Sequence, residues 1–310
     1  TPLSTSYSGF EICEMPPNTQ GFAALEIMNI LEAYTERSGE SLAELGPRSS
    51  AFWHLLVEAK KLAYADLYEF NADPALAQVP VERLISKAHA RELCKRIDAR
   101  KAATPEARGD PVGGTVYIAA ADRWGNMVSF IYSVYAGFGA GITIPGYGFV
   151  LNNRGALFSL DARSPNVLAP RKRPFQTILP GFLMRSGRPV MAFGLMGGGQ
   201  QAQGHAQALV SMIDLGANPQ AASDAARFAH WQATNTLNLE SGLFALVGAE
   251  LRALGHQVVA ANGQDMGGFQ AIWLLPDEPP RSSPSPGAPV SPGVYRAASD
   301  HRKDGCAVGW

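Results

Sequence analysis

A chain of 310 residues, 46% of them hydrophobic, can fill one large core or two small ones and is too apolar to stay disordered. Its 26 basic and 27 acidic residues nearly cancel, and no basic cluster is long enough to follow a phosphate backbone, so nucleic acid is excluded as a partner class. Cys13, Cys94 and Cys306 are too scattered to outline a disulfide framework or a zinc site, and no apolar run approaches the roughly 18 residues of a membrane span. The N-terminus lacks the basic-then-apolar pattern of a secretory signal. A soluble chain follows, with the cytoplasm favoured over the periplasm or secretion.

From Thr19 to Arg37 the residues Phe22, Leu25, Met28, Leu31 and Tyr34 recur at helical spacing behind Pro16-Pro17. A second helix is expected over Ala51–Phe70, with Leu55, Leu56, Ala59, Leu62 and Ala63 on one face. Thr104–Gly114, rich in Pro, Gly and charge, reads as an exposed linker. Thr115–Ala121 and Met127–Val134 then form a β-hairpin across Arg123-Trp-Gly-Asn126. Further strands are expected at Tyr147–Asn152, Thr177–Met184, Pro189–Gly194, Phe269–Leu275 and Val294–Ala297, and a helix at Gln201–Leu215. Pro276–Pro292, dense in Pro, Ser and Gly, reads as a hairpin insertion. No internal repeat is visible.

Several site types fail on chemistry. Gly109 and Gly114 have the spacing of a phosphate loop, but Thr115 stands where the lysine must be. The six histidines never approach the spacing of a helical metal pair and read as solvated or hydrogen-bonded. No Gly-x-Ser-x-Gly elbow is present.

What survives is Thr115 itself. If the Gly114–Thr115 bond were cut, Thr115 would carry a hydroxyl nucleophile and a free α-amino group to serve as its base. Downstream, Phe193-Gly-Leu-Met-Gly197-Gly198-Gly199-Gln200 lies between a predicted strand and a predicted helix. Such a loop is either a tight strand-to-helix turn or a place where backbone N–H groups converge on an oxyanion.

The order of short motifs resolves the choice by resemblance. Met15-Pro16-Pro17, Ala63-Tyr64-Ala65-Asp66, Thr115 with Asp122-Arg-Trp-Gly-Asn126, Phe138-Gly139-Ala-Gly141, Leu151-Asn152-Asn153 and Lys172-Arg173-Pro174 occur in sequence. They are followed by Gly194-Leu-Met-Gly197-Gly198, Asp224-Ala-Ala-Arg227-Phe228 and Ala298-Ser299-Asp300. From Pro2 onward the chain thus resembles the gamma-glutamyltransferase family of N-terminal nucleophile hydrolases. The resemblance implies an α+β fold, a four-layer αββα sandwich, and a precursor that cleaves itself between Gly114 and Thr115. Residues 1–114 would be the C-terminal part of the large subunit, mostly helical, and 115–310 the small catalytic subunit, the two remaining associated. It implies Thr115 as nucleophile, Gly197 and Gly198 as oxyanion donors, and Ser133 where the family has a threonine that hydrogen-bonds the nucleophile. No metal or organic cofactor is implied. Family precursors also carry a long N-terminal segment ahead of the part matched by Pro2, and such a segment is expected as a partner.

The recognition residues depart from the family. Tyr135, Arg154 and Leu157 stand where typical members have asparagine, glutamine and the aspartate that grips the substrate ammonium, and Gln176-Thr177 replaces the serine pair that holds the carboxylate. Leucine offers an ammonium no counter-charge, and Arg154 would repel it while suiting a carboxylate. Arg154 could equally be a structural ion-pair partner. The segments Ser129–Tyr135, Asn153-Arg154-Gly155 and Phe158-Ser-Leu resemble the subgroup that includes oxamate amidohydrolase. The expectation is an amidohydrolase or acyltransferase acting on a small carboxylate-bearing amide. A γ-glutamyl hydrolase or transpeptidase of glutathione metabolism, and a non-catalytic remnant, are the alternatives.

Overall fold

A hairpin that the sequence reading left unassigned opens the chain: strand β1 (Leu3–Tyr7) turns at Ser8-Gly9, both at positive φ, into β2 (Phe10–Glu14). Both long apolar periodicities then fold as helices. α1 (Gly21–Ser38) ends on Gly39, whose φ of 74° supplies the left-handed cap. After the single turn α2 (Leu42–Leu45), α3 (Ser50–Phe70) starts on Ser49, whose hydroxyl accepts from the Phe52 backbone N–H. Phe22, Leu25, Met28, Leu31, Leu55, Leu56, Ala59 and Ala63 are all buried, as their spacing requires. Two short helices, α4 (Val81–Leu84) and α5 (Lys87–Cys94), complete the N-terminal part, α5 packing on α1.

The computed structural model describes residues 1–106, 113–275 and 293–309. Most of the expected linker and the whole of the expected insertion at 276–292 lie outside those residues.

The hairpin around the candidate nucleophile comprises β3 (Gly114–Ala121) and β4 (Met127–Tyr135), with Thr115 opposite Ser133. Its turn is built by Asp122, whose carboxylate accepts from the backbone N–H groups of Trp124 and Asn126. The main sheet has the order β1-β2-β5-β6-β10-β11, antiparallel throughout, with β5 at Pro180–Arg185, β6 at Arg188–Met196, β10 at Gly268–Leu275 and β11 at Val294–Ala298. Alternation along β6 decides what lies on each face. Phe193 and Leu195 face α6 (Gln200–Ile213), touching His205 and Gly204, whereas Gly194 faces the β3–β4 ribbon, where the Tyr117 ring lies flat against it. A Cβ on Gly194 would fall 2.3 Å from that ring. Among the described residues, helices, main sheet and ribbon therefore stack in that order, helix on sheet on sheet, within an α+β architecture. The outer face of the ribbon, carrying Val116, Ile118, Val128, Phe130 and Tyr132, is exposed.

A third sheet, β7 (Phe228–Trp231), β8 (Thr236–Glu240) and β9 (Gln257–Ala261), follows α7 (Pro219–Asp224), with α8 (Ser241–Ala253) linking β8 to its parallel neighbour β9. The free edge of β7 is satisfied by side chains of α6. Gln207 and Gln203 each accept from and donate to its backbone at Phe228 and His230.

One expected strand is absent. Tyr147–Asn152 is a loop with a single bridge, Thr143 to Val150, because Gly146 and Gly148 take φ of 81° and 74° and break the extended run. The expected strand at Thr177 begins instead at Pro180.

Candidate active site

Thr115 is the second residue of β3, and its side chain shares the inward face with Tyr117 while Val116 and Ile118 point to solvent. Opposite it, Ser133 joins three groups. Its Oγ accepts from Thr115 Oγ1 at 3.2 Å and from the Tyr135 backbone N–H at 3.0 Å, and donates to the Gly114 carbonyl oxygen at 2.8 Å. The hydroxyl of the candidate nucleophile and the carbonyl of the candidate scissile bond are thus tied through one serine. Pairing shifts register at Gly114–Thr115, so a bulge falls on that bond.

Tyr135 ends β4 at a φ of 79°, left-handed for a residue with a side chain. That turn presents its ring to Arg154, whose guanidinium lies 5.5 Å from the ring centre. Arg154 opens a 3-10 turn, Arg154–Leu157, and is only 2% exposed. Its Nη1 donates to Thr177 Oγ1 at 3.1 Å, while Nη2 has no hydrogen-bond partner among the described residues. Burial pulls its pKa below the usual guanidinium value, partly offset by Tyr135, and burial pushes the Tyr135 phenol up. A buried cation with a free donor and no carboxylate contact among the described residues can pair with an anion. Leu157 packs against the core. Gln176 enters the surroundings through its backbone, donating to Asn18 O at 2.8 Å, and its buried Oε1 is left without a partner.

The glycine loop joins β6 to α6. Gly197 and Gly198 have φ of 129° and 62°, conformations that a Cβ would strain. Two buried side chains hold the loop by its carbonyls. Gln20 Nε2 donates to Gly198 O at 2.9 Å and to Thr177 O at 2.6 Å, and Tyr64 Oη donates to Gly199 O at 2.5 Å. With these oxygens engaged from the helix side, the orientation of the loop's peptide units is fixed before any ligand arrives.

The contacts run from Thr115 through Ser133, Tyr135, Arg154, Thr177 and Gln20 to Gly198, one continuous chain that includes most of the candidate residues. Gln20 and Tyr64 carry no site signal in the sequence: Tyr64 belongs to the Ala63–Asp66 motif and Gln20 is a polar residue ahead of an apolar helix, and neither pattern says which backbone oxygen it will meet.

Comparison with known proteins bears on this arrangement. The family described as gamma-glutamyltranspeptidase matches residues 1–310. The chain is 35% identical over 314 aligned residues to the glutathione hydrolase-like YwrD proenzyme of Bacillus subtilis, covering 99% of this chain and 55% of that one. It is 31% identical to the oxamate amidohydrolase proenzyme of Klebsiella pneumoniae, covering 100% of this chain and 55% of the relative. The solved structure of a cephalosporin acylase from Bacillus halodurans superposes with a TM-score of 0.85 at 37% identity, over 100% of this chain and 53% of that one. The chain spans about half the length of these relatives. Among the described residues, no helix is long and apolar enough to cross a membrane.

Proposed function

The chain belongs to the gamma-glutamyltranspeptidase family and has the α+β fold of the N-terminal nucleophile hydrolases; from that premise we propose that it is an autoprocessed threonine amidohydrolase with Thr115 as nucleophile. The observation that carries the proposal is the Thr115–Ser133–Gly114 relay. In the uncleaved chain, Thr115 Oγ1 attacks the Gly114 carbonyl carbon while Ser133 steadies the oxygen that gains charge. The C–N bond breaks as the Oγ1–C bond forms, the hydroxyl proton ends on the departing nitrogen, and water hydrolyses the ester. Residues 1–114 and 115–310 then become the two associated parts.

In the processed enzyme the new α-amine, with an unperturbed pKa of about 8, takes the Oγ1 proton as Oγ1 attacks a substrate amide. Backbone N–H groups of Gly197 and Gly198 stabilise the tetrahedral oxyanion, a contribution of roughly 3 kcal/mol per donor in other enzymes. Collapse passes the proton to the leaving amine and leaves an acyl-Thr115 ester for water or an acceptor amine.

Arg154 supports a substrate that bears a carboxylate on its acyl part, with Thr177, Tyr135 and Gln176 around it. Leu157 gives no anion for an α-ammonium, which favours a small carboxylate-bearing amide over a γ-glutamyl group. The relative named for oxamate, an amide with a carboxylate and no amine, fits this reading. γ-Glutamyl hydrolysis or transfer is the second reading, in line with the Bacillus subtilis relative being named glutathione hydrolase-like. The greater length of the relatives and the exposed apolar face of the ribbon support a further segment of the precursor as the partner covering that face.

Intact mass tests the core of the proposal. Fragments of 114 and 310 − 114 = 196 residues are expected, the second beginning Thr-Val-Tyr, with Thr115→Ala remaining whole. Active material lacking that N-terminus would overturn it. Comparing oxamate, glutaryl amides and γ-glutamyl amides as substrates decides the acyl preference, and efficient γ-glutamyl turnover would select the second reading.

A further inference from the structure

Glu26 lies in the second turn of α1, fully buried, and neither of its carboxyl oxygens has a partner at hydrogen-bond geometry among the described residues. A buried carboxyl that meets only a long approach from an imidazole and the carboxyl of Asp66 is among the less favourable groups a core can hold. It faces two other potential ligands on neighbouring helices. His89 Nε2 of α5 is 3.4 Å from Glu26 Oε1 and 2.6 Å from Asp66 Oδ2 of α3, and one ligand atom from each of the three residues lies within 4.8 Å of the others.

These separations suit a small metal ion. Tetrahedral bonds of about 2.0–2.2 Å set ligand atoms about 3.3–3.6 Å apart, which brackets the longer of the two observed distances, and the shorter would open by roughly 0.7–1 Å through side-chain rotation. Two carboxylates and one imidazole neutralise a dication and match zinc and its first-row neighbours. Asp66 and His89 are each 14% exposed at the side chain, so the cluster is reachable from solvent. The Arg83 guanidinium, whose charge acts on Glu26, stacks on Phe70 and makes no ion pair with the triad among those observed.

A second cluster shows what a satisfied counterpart looks like. His54, Glu58 and His256 also converge, but Lys61 Nζ sits 2.8 Å from Glu58 Oε1 and 3.5 Å from His256 Nδ1, and the two imidazoles bond each other at 2.8 Å. A resident ammonium already occupies the cation's place there.

We propose that Glu26, Asp66 and His89 form a binding site for a divalent first-row metal ion of the zinc class that ties α1, α3 and α5 together. The site is independent of the reaction proposed above. Its position has a consequence for that reaction, since α3 carries Tyr64 and Gln20 immediately precedes α1, so the ion would cross-link the two supports of the glycine loop.

The test uses the whole chain stripped with a chelator, dialysed against buffered ZnCl2 and assayed for metal content. One retained equivalent is expected, with affinity at least tenfold weaker in both Glu26→Gln and His89→Gln. In the unmodified protein, stoichiometric Zn2+ should slow carbethoxylation of His89 by diethyl pyrocarbonate several-fold and leave the exposed His301 unaffected. This second measurement decides the matter if either variant fails to fold. No retained zinc, retention that persists in both variants, or an unprotected His89 would overturn the proposal.

Discussion

Replacing Ser133 by alanine isolates the step on which the proposed chemistry begins. The hydroxyl makes three hydrogen bonds, of which the 2.8 Å bond to the Gly114 carbonyl is the one that gains strength as that oxygen acquires charge. A hydrogen bond to a charged acceptor contributes roughly 1.5–3 kcal/mol, and each 1.36 kcal/mol in a barrier is about a factor of ten in rate. Autoprocessing of Ser133→Ala should therefore be about 10- to 150-fold slower than in the parent. The cost to folding should be smaller, about 1 kcal/mol, because Thr115 and Ser133 are only half-buried and water can replace the lost partner. A time course of precursor disappearance by intact mass, alongside a denaturant titration, separates the two effects. Ser133→Thr keeps the hydroxyl and should restore most of the rate. If Ser133→Ala processes within twofold of the parent while Thr115→Ala stays whole, the relay contributes nothing and the reasoning fails.

Three further outcomes follow from geometry elsewhere in the site and fold. Tyr64→Phe removes the donor to Gly199 O, and kcat should fall about tenfold with KM within twofold; a change confined to KM would place Tyr64 outside oxyanion support. Arg154→Met should raise KM for a carboxylate-bearing substrate about 10- to 100-fold while leaving stability unchanged or higher, because an unpaired buried cation is replaced by apolar surface; loss of stability without a change in KM would make Arg154 structural. Asp214, raised to about 6 by burial despite accepting from Tyr7, is protonated more readily in the folded than in the unfolded chain. A raised carboxyl favours folding below the unfolded pKa and loses that contribution as pH rises from about 4 to about 6. After allowance for partial exposure, Asp214→Asn should remove roughly 1–2 kcal/mol of decline across that window, read as the difference between denaturation curves of the two proteins; parallel pH profiles would contradict the shift.

The parts of this fold that were legible in sequence are those where one periodicity dominates. α1 and α3 bury a stripe set by residues such as Leu25 and Leu56, and the β3–β4 hairpin is marked by two β-prone runs joined across Arg123-Trp-Gly-Asn126. Five-residue strands such as β1 and β8 carry too few alternations to be seen, and the β7–β9 sheet takes part of its pairing from glutamines on α6. The run at Tyr147 misled because its apolar residues alternate with glycines that adopt positive φ. Within the site, residue identities were readable by resemblance, whereas contacts across distant segments were not: nothing in the sequence joins Gln20 to both Thr177 and Gly198. The same limit hid the ligand triad, whose members are spread over three helices rather than spaced along one.

The bare α-carbon at Gly194 acts as a seat for Tyr117, two residues along the strand from Thr115, and the Ser129 hydroxyl clamps the same region by donating to Phe193 O. In the proposed reaction, attack geometry is thereby gauged by the sheet beneath the ribbon, at a distance from the loops that carry Tyr135, Arg154 and Thr177. Such a separation lets those loops drift toward new acyl groups while the reacting atom keeps its height, so selectivity in this scaffold can be rewritten at the rim without retuning the engine.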